Sequence, residues 1–562
     1  MILFELITIF LKIFIVCIFI SGVGYIFKNK ILLDGKKKID VLENGLFGFI
    51  LLGFVALLIN FFLPLDLYIN SSLFILTILY LIKEKFFQKI DISDYKLLIL
   101  VSFIAFILLI YSNVNRPDAH SYHLPFSKMI AEHKIILGSA NIHFRFAHIS
   151  IFQYINSFFD NFLLRDEGTS ISTALLVPFF LVYIYFEFHK NFLKNSKILF
   201  SLFLFFIFCI SIYTLNNYSS LGNDGPGYLY FFLLSFYLVS FQSQKKNDKQ
   251  NFFEKLLLIS MFLFFIKIFY KIILIIPFII FLFYHKSINL INSKANIFSY
   301  IFLILWLIKN IFVSGCAIYP VNFTCNSNLI WNTDNATEQS INGEAWAKDW
   351  INRENKDLGM KEHSKNFIWL NDWKNNHFKI ITEKTTPILI FILFNIIFFY
   401  LKKCLSNKKN KINYLNYYIL FFITILGSLI WFLKFPIYRF GLAYLYIFLI
   451  TITSIIIFQK IEINKIFKLK NYFNYFMIAL IIGATFKNFN RILDNKDQNI
   501  WPNLRIVQSE KLIKHLNSGG EFMYYMNKRE CGYSPSPCTN NDIQIDSFKY
   551  MGYQIYYKIL NK

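Results

Sequence analysis

The sequence predicts an all-α polytopic membrane protein, and three observations carry that prediction. Hydrophobic residues make up 56% of the chain and aromatic residues 20%, with a mean hydropathy of +0.47. Only 16% of the residues are charged, where a soluble chain carries about a quarter. Apolar runs of about 17–25 residues recur, each long enough to cross a hydrocarbon core roughly 30 Å thick.

In order, the candidate spans are 2–26, 43–65, 71–84, 96–112, 170–188, 197–215, 227–242, 252–268, 270–285, 296–313, 386–403, 412–432, 439–459 and 471–487. They predict a bundle of about 12–14 transmembrane helices. The first run lacks a small-residue cleavage site and reads as an uncleaved helix, not a signal peptide. The net charge of +23 sits mainly on lysines in short segments between the runs. That pattern encodes topology and does not build a nucleic-acid groove, so nucleic acid is excluded as a partner.

The connections 27–40 (Lys28, Lys30, Lys36, Lys37, Lys38), 189–197, 243–251, 286–295, 402–412 and 459–470 are lysine-rich, whereas 66–70 and 216–226 contain no Lys or Arg. Lysine-rich short loops stay cytoplasmic. The N-terminus and segments 113–169, 216–226, 314–385, 433–438 and 488–562 are then expected outside the cytoplasm. The chain divides into N-terminal transmembrane helices (1–95), a transmembrane core with the external loops 113–169 and 314–385 (96–487), and an extracytoplasmic C-terminal region (488–562). Loop 314–385 is rich in Trp and reads as a small subdomain on the membrane surface. The C-terminal region reads as a small α/β or helical appendage.

Cysteine placement agrees with this sidedness. Cys17, Cys209 and Cys404 lie in or beside apolar runs and read as small core residues. Cys316/Cys325 and Cys531/Cys538 form close pairs in segments assigned outside, where disulfides persist. Four free thiols are the alternative, and no second pair or histidine stands at zinc-ligand spacing.

The densest polar stretch is Asn115-Arg-Pro-Asp118-Ala-His120-Ser-Tyr122-His123-Leu-Pro125, just after an apolar run, with Pro117 fixing the backbone as the chain leaves the membrane. Ionisable groups beside a bilayer are costly and mark function or a pairing partner. Residues 124–137 have the spacing of an interfacial helix, and His143, Arg145 and His148 follow it. A second external turn, Ser219-Ser-Leu-Gly-Asn-Asp224-Gly-Pro-Gly227, holds one acid near the membrane. Lys267 and Lys271 lie at the outer end of an apolar hairpin. Arg439 follows Phe435-Pro-Ile-Tyr438 at a helix start, where a guanidinium suits phosphate. There is no Walker motif or Gly-rich phosphate loop, so activated substrate has to arrive within the membrane.

In order along residues 95–460, these features resemble the GT-C glycosyltransferases. They are an acid in the first large external loop with Tyr-His-Leu-Pro and an interfacial helix (Asp118 to Glu132), a second external acid (Asp224), and a lysine on an apolar hairpin (Lys267). Ser314-Gly-Cys-Ala-Ile-Tyr319-Pro320 and Pro436-Ile-Tyr438-Arg439-Phe440 follow at helix ends. Protein O-mannosyltransferases and the aminoarabinose transferase of lipid A belong to that superfamily, and the Cys531/Cys538 tail matches a bacterial subgroup.

The resemblance implies an enzyme of the bacterial inner membrane with its site facing the periplasm. It would transfer a sugar from a polyprenyl-phosphate-linked donor to a glycan, lipid or protein acceptor in envelope assembly. Asp118 would be the catalytic base. His120, Tyr122, His123, Arg145, His148, Asp224, Lys267, Tyr438 and Arg439 would bind substrate, with Lys267 and Arg439 on the lipid phosphate.

Two departures stand out: three extra spans precede the acidic loop, and the family's frequent acidic pair is reduced to Asp118. No cofactor is required by the pattern, though a divalent cation near Asp118 is one arrangement it leaves open. An O-antigen-type polymerase or ligase would rely on external arginines. A transporter or flippase would place ionisable groups at mid-span.

Overall fold

The computed structural model describes residues 2–32, 39–112, 118–192, 197–218, 221–291, 293–333, 336–401, 414–460, 462, 469–496, 499–501, 513–516, 522–525, 530–539 and 545–559. Asn115, Arg116, Pro117, Lys36, Lys37, Lys38 and Cys404 therefore lie outside the described residues.

The chain is mostly helical. The helices that build the bundle and its site are α1 (Ile2–Lys30), α2 (Val41–Asn60), α3 (Leu67–Lys83), α4 (Ile92–Leu109), α5 (Leu124–Glu132), α6 (Ile151–Phe158), α7 (Ser172–Phe192) and α8 (Ile198–Tyr213). They continue with α9 (Asp224–Phe241), α10 (Lys246–Ile266), α11 (Ile275–Tyr284), α12 (Lys294–Ser314), α13 (Lys379–Leu401), α14 (Leu415–Lys434), α15 (Tyr438–Lys460) and α16 (Lys470–Asp494). Among the described residues, ten helices are long and apolar enough to cross a membrane, and the chain is an integral membrane protein by that measure. Each of the fourteen runs read from the sequence contains a helix among its described residues. However, α3 and α8 have only 17 and 16 residues, α9 opens on polar Asp-Gly-Pro-Gly, and α10 opens on Lys246, Asp248 and Lys249.

Capping fixes where several helices begin. Asp40 accepts the Glu43 N–H (3.0 Å) ahead of α2, and Asp66 accepts the Ile69 N–H (2.8 Å) ahead of α3. α2 then packs along α1, α6 and α7, while α9 packs on both α10 and α15 in the second half of the bundle.

One tie was not visible in the sequence. Lys28, counted above with the loop lysines, lies in the last turn of α1 and is 6% exposed. It pairs with Glu43 of α2, which also takes Lys255 of α10 at 2.8 Å and the Tyr237 hydroxyl of α9 at 2.6 Å. Four helices thus share one buried carboxylate.

The segment read as interfacial is shorter than expected. α5 ends at Glu132, and the chain beyond it is extended. Leu137 exchanges hydrogen bonds with the C-terminal hairpin, its N–H reaching Gln554 O and its carbonyl taking the Tyr556 N–H, both at 2.9 Å. Gly138, at φ 70°, makes this approach possible, since a Cβ there would lie 2.1 Å from Tyr556 O. Within 149–164, which is not among the candidate spans, α6 runs for eight residues, all buried.

Past Asp494 the described elements of the C-terminal region are strands, so of the two readings, α/β or helical, the wholly helical one does not hold. Strands β1 (Ile513–Leu516), β2 (Phe522–Tyr525) and β3 (Cys538–Thr539) form one sheet, with β1 and β2 antiparallel and β2 and β3 parallel. β4 (Ile545–Tyr550) and β5 (Tyr553–Lys558) form an antiparallel hairpin. Both expected cysteine pairs are bonded, Cys316–Cys325 and Cys531–Cys538, while Cys17 and Cys209 are buried.

The Cys531–Cys538 loop sits on α5. Gly532 N–H reaches His120 O (2.8 Å), Ser536 N–H reaches Glu132 (2.8 Å), and Lys128 lies 4.6 Å from the Tyr533 ring. Closing so short a loop contributes about 2–3 kcal/mol to its order. A Cys531→Ser/Cys538→Ser variant is expected to exchange amide hydrogens faster across 119–142 than wild type, by exchange mass spectrometry, with the rest of the bundle unchanged.

Candidate functional site

Four helix ends and one loop meet at the candidate site. α4 delivers the chain to Asp118, α9 begins at Asp224, α10 ends one residue before Lys267, and α15 begins at Tyr438 and Arg439. Asp118 leads into a π-helical turn, Ala119–His123, that runs directly into α5. Such turns widen the helix by one residue and are frequent at functional sites. Here the turn buries His120 and His123, while Asp118 and Tyr122 remain partly open.

The charged groups form one network. Arg439 Nη1 donates to Asp118 Oδ2 at 2.7 Å, and its Nε lies 4.0 Å from Asp224 Oδ2. Lys267 donates to Asp224 Oδ1 at 2.5 Å, and Arg145 approaches Asp118 Oδ1 at 3.5 Å. The four groups centred on Arg439 are 23–29% exposed at the side chain, as expected for a recess open to water. Aromatic rings wall it: Phe440 lies 3.6 Å below the Lys267 ammonium, and Tyr122 lies 4.9 Å from the Arg145 guanidinium.

Burial pushes the Asp118 carboxyl upward, but Arg439 and Arg145 more than offset it, so the group titrates below the usual carboxylate range. Burial, reinforced by Asp118, pushes Tyr122 up to about 12, and it stays a neutral hydroxyl. Burial likewise brings His123 down to about 4, against the pull of Asp118 and Asp224. His123 is therefore a neutral ring at pH 7, held on the Gln153 side chain of α6.

Arg439 is aimed by two indoles. Trp373 donates to Pro436 O (2.6 Å) and Trp431 donates to Ile437 O (2.7 Å), pinning the bend between α14 and α15. Gly441 sits against the Trp431 ring, where a Cβ would lie 2.3 Å away. The Tyr228 hydroxyl of α9 donates to the Arg439 carbonyl. The Trp-rich loop 314–385 thus braces the site: Trp369 and Trp373 each lie 5.5 Å from Phe432, and Glu344 pairs with Lys434 at 2.9 Å.

Of the expected residues, Asp118, Tyr122, His123, Arg145, Asp224, Lys267 and Arg439 come together, and Tyr438 opens α15 beside them. His120 turns to the buried side, where its carbonyl receives the tail. His148 is exposed, edge-on to Tyr319 at 5.0 Å. Sequence reading passed over Gln153, Tyr228 and the two indoles, which carry no charge in an apolar chain. It also passed over Lys309, a lone lysine near the end of the 296–313 run.

A divalent cation does not suit Asp118 as it stands. Its two oxygens face two guanidinium groups, and among the described residues no three His, Cys, Asp or Glu side chains converge.

A family model described as a domain of unknown function, DUF8201, matches residues 6–446. The chain belongs to that family. The DUF8201 match takes in every charged residue of the network and the π-helical turn, and stops within α15, before the C-terminal strands. Comparison with curated proteins and with solved structures finds no match.

Proposed function

We propose that this chain is a GT-C-type membrane glycosyltransferase, a bundle of about 12–14 spans in the bacterial inner membrane with its site on the periplasmic side. It moves a sugar from a polyprenyl-phosphate-linked donor to a glycan, lipid or protein acceptor. The observation that carries this reading is the single network of Asp118, Arg439, Asp224 and Lys267 at converging helix ends. It combines a base, a set of cations and an opening.

The reaction uses these parts in sequence. The acceptor hydroxyl attacks the anomeric carbon and a new C–O bond forms as the bond to the phosphate oxygen breaks. The hydroxyl proton passes to the Asp118 carboxylate, and the leaving phosphate keeps the bonding electron pair. Arg439, Lys267 and Arg145 offset the charge that develops on that oxygen. In the resting site Asp118 is a weak base because Arg439 holds it. A donor phosphate that draws Arg439 away raises the Asp118 pKa toward a value better suited to taking a proton.

This reading predicts a pH profile. A depressed carboxyl stays ionised until the pH falls below its ordinary value of 3.8. The acid limb of kcat/KM, which reports the free enzyme, should therefore lie below that value. The acid limb of kcat, which reports the loaded enzyme, should lie at higher pH. Coincident limbs would mean that Arg439 never leaves Asp118. The transfer itself is tested by supplying the purified protein in nanodiscs with a panel of labelled polyprenyl-phosphate sugars and envelope acceptors. Acceptor labelling with matched release of polyprenyl phosphate is expected. Folded protein that turns over no donor in the panel would sink the proposal.

A further inference from the structure

The cations of the network are already matched to carboxylates. Lys267 has Asp224, and Arg439 lies between Asp118 and Asp224. One cation beside them is not. Lys309, in the last two turns of α12, is 0% exposed, and its ammonium has no hydrogen-bond acceptor among the described residues. The ammonium lies over the face of Trp306, at 3.6 Å. A buried ammonium without a carboxylate is costly, and a ring face recovers only part of the lost hydration.

The surroundings of Lys309 point toward the site. Trp306 packs on Phe265 of α10 at 5.2 Å, two residues before Lys267, so Lys309 lies along the end of α10. On its other side α12 packs against the turn Phe144–His148, which carries Arg145 and His148. The imidazole of His148 feels the charges of Arg145, Lys309 and Lys267 together, although burial within the recess contributes most to lowering its pKa. His148 as a residue is nonetheless exposed, so water reaches this edge of the turn. Counting Lys309, four cations face two carboxylates at this end of the bundle.

The geometry points to an anion subsite beside the Arg439–Lys267 pair, in which Lys309 and Arg145 hold a phosphate-class group and His148 offers it a ring N–H. Arg145 can turn to it because its hold on Asp118 is long, at 3.5 Å. A phosphate there supplies the counter-charge that Lys309 lacks. The assignment rests on the glycosyltransferase reading only for the source of that phosphate, the head group of a polyprenyl donor or product. A free phosphate ion would meet the same chemistry.

Binding, measured without any sugar transfer, tests the subsite. The full-length protein in detergent is titrated with farnesyl phosphate, inorganic phosphate and farnesol, and affinity is read by microscale thermophoresis. Farnesyl phosphate should bind and farnesol should not. Lys309→Met should weaken farnesyl phosphate by about thirtyfold or more, while raising the thermal midpoint of the empty protein because a buried charge is gone. Arg145→Gln, at a partly exposed position, should also weaken binding, and it serves if the lysine variant does not fold.

Comparable affinity for inorganic phosphate would identify the free ion as a source, with the subsite intact. Unchanged affinity in Lys309→Met, equal binding of farnesol, or no binding of either phosphate by wild type would overturn the inference. If binding depends on Lys309 but no donor sugar is ever transferred, the subsite stands and the glycosyltransferase reading falls.

Discussion

Asp118→Asn should abolish sugar transfer, lowering kcat by about 10²–10⁴-fold, while leaving the protein folded. The amide keeps the shape of the carboxyl and one oxygen toward Arg439, so the 2.7 Å contact retains an acceptor. What it removes is the lone-pair base and the negative charge that two arginines share. Asp118 is partly exposed, at 28%, so water screens much of the cost of losing the pair, and the thermal midpoint should move little. The measurement is the initial rate under saturating donor beside a melting curve of the same preparation. A variant that transfers at the wild-type rate removes Asp118 from the chemistry, and a collapsed melting curve would make its role structural.

The largest effect on stability is expected far from that site. Glu43 is shared by Lys28 and Lys255 with side-chain exposures of 2%, 7% and 0%. Glu43→Gln leaves two buried ammonium groups without the carboxylate they share, a class of change that costs about 3–5 kcal/mol. Unfolding in detergent should show a marked loss of midpoint. Lys28→Met added to Glu43→Gln should recover part of it, since one of the two buried ammonium groups is then gone. Tyr237 and Lys255 lie 13 and 12 residues along their helices from Asp224 and Lys267, about 20 Å at 1.5 Å per residue. Surviving Glu43→Gln protein should therefore keep the affinities of the site for its ligands. A variant as stable as wild type would show that the cluster is dispensable.

The two positions differ in how far the sequence exposes them. Asp118, Asp224, Lys267 and Arg439 could be read directly because each is an ionisable group next to the end of an apolar run, and such groups are rare enough to be noticed one at a time. That Arg439 reaches Asp118 across 321 residues follows from helix packing, and only their common sidedness hinted at it. Lys28 was hidden because a lysine in the last turn of a helix looks like any loop lysine until its neighbours are known. Its burial depends on α2 and α10, which no local pattern contains.

The braces were hidden for a different reason. Trp373 and Trp431 act through a single N–H each, on backbone carbonyls, and in a chain with 69 phenylalanines and 34 tyrosines another aromatic residue carries no signal. The tie between the C-terminal hairpin and Leu137 was hidden because Leu137 lies in a segment whose apolar spacing suggested that α5 would continue. Gly138, which permits the strand to approach, looks like an ordinary helix stop.

The docking of the C-terminal loop on the π-helical turn sets an order of assembly. Asp118 is made after about a fifth of the chain, yet Gly532, which fastens its turn, and Ser536, which fastens the end of α5, come more than 400 residues later and have to reach the same side of the membrane. A partly synthesised chain can insert its helices and bring Asp118 to its face of the bilayer with that turn still unfastened. The turn is then fastened only when the last strands arrive and Cys531 meets Cys538, so this part of the fold is completed at the end of biogenesis and not when Asp118 emerges.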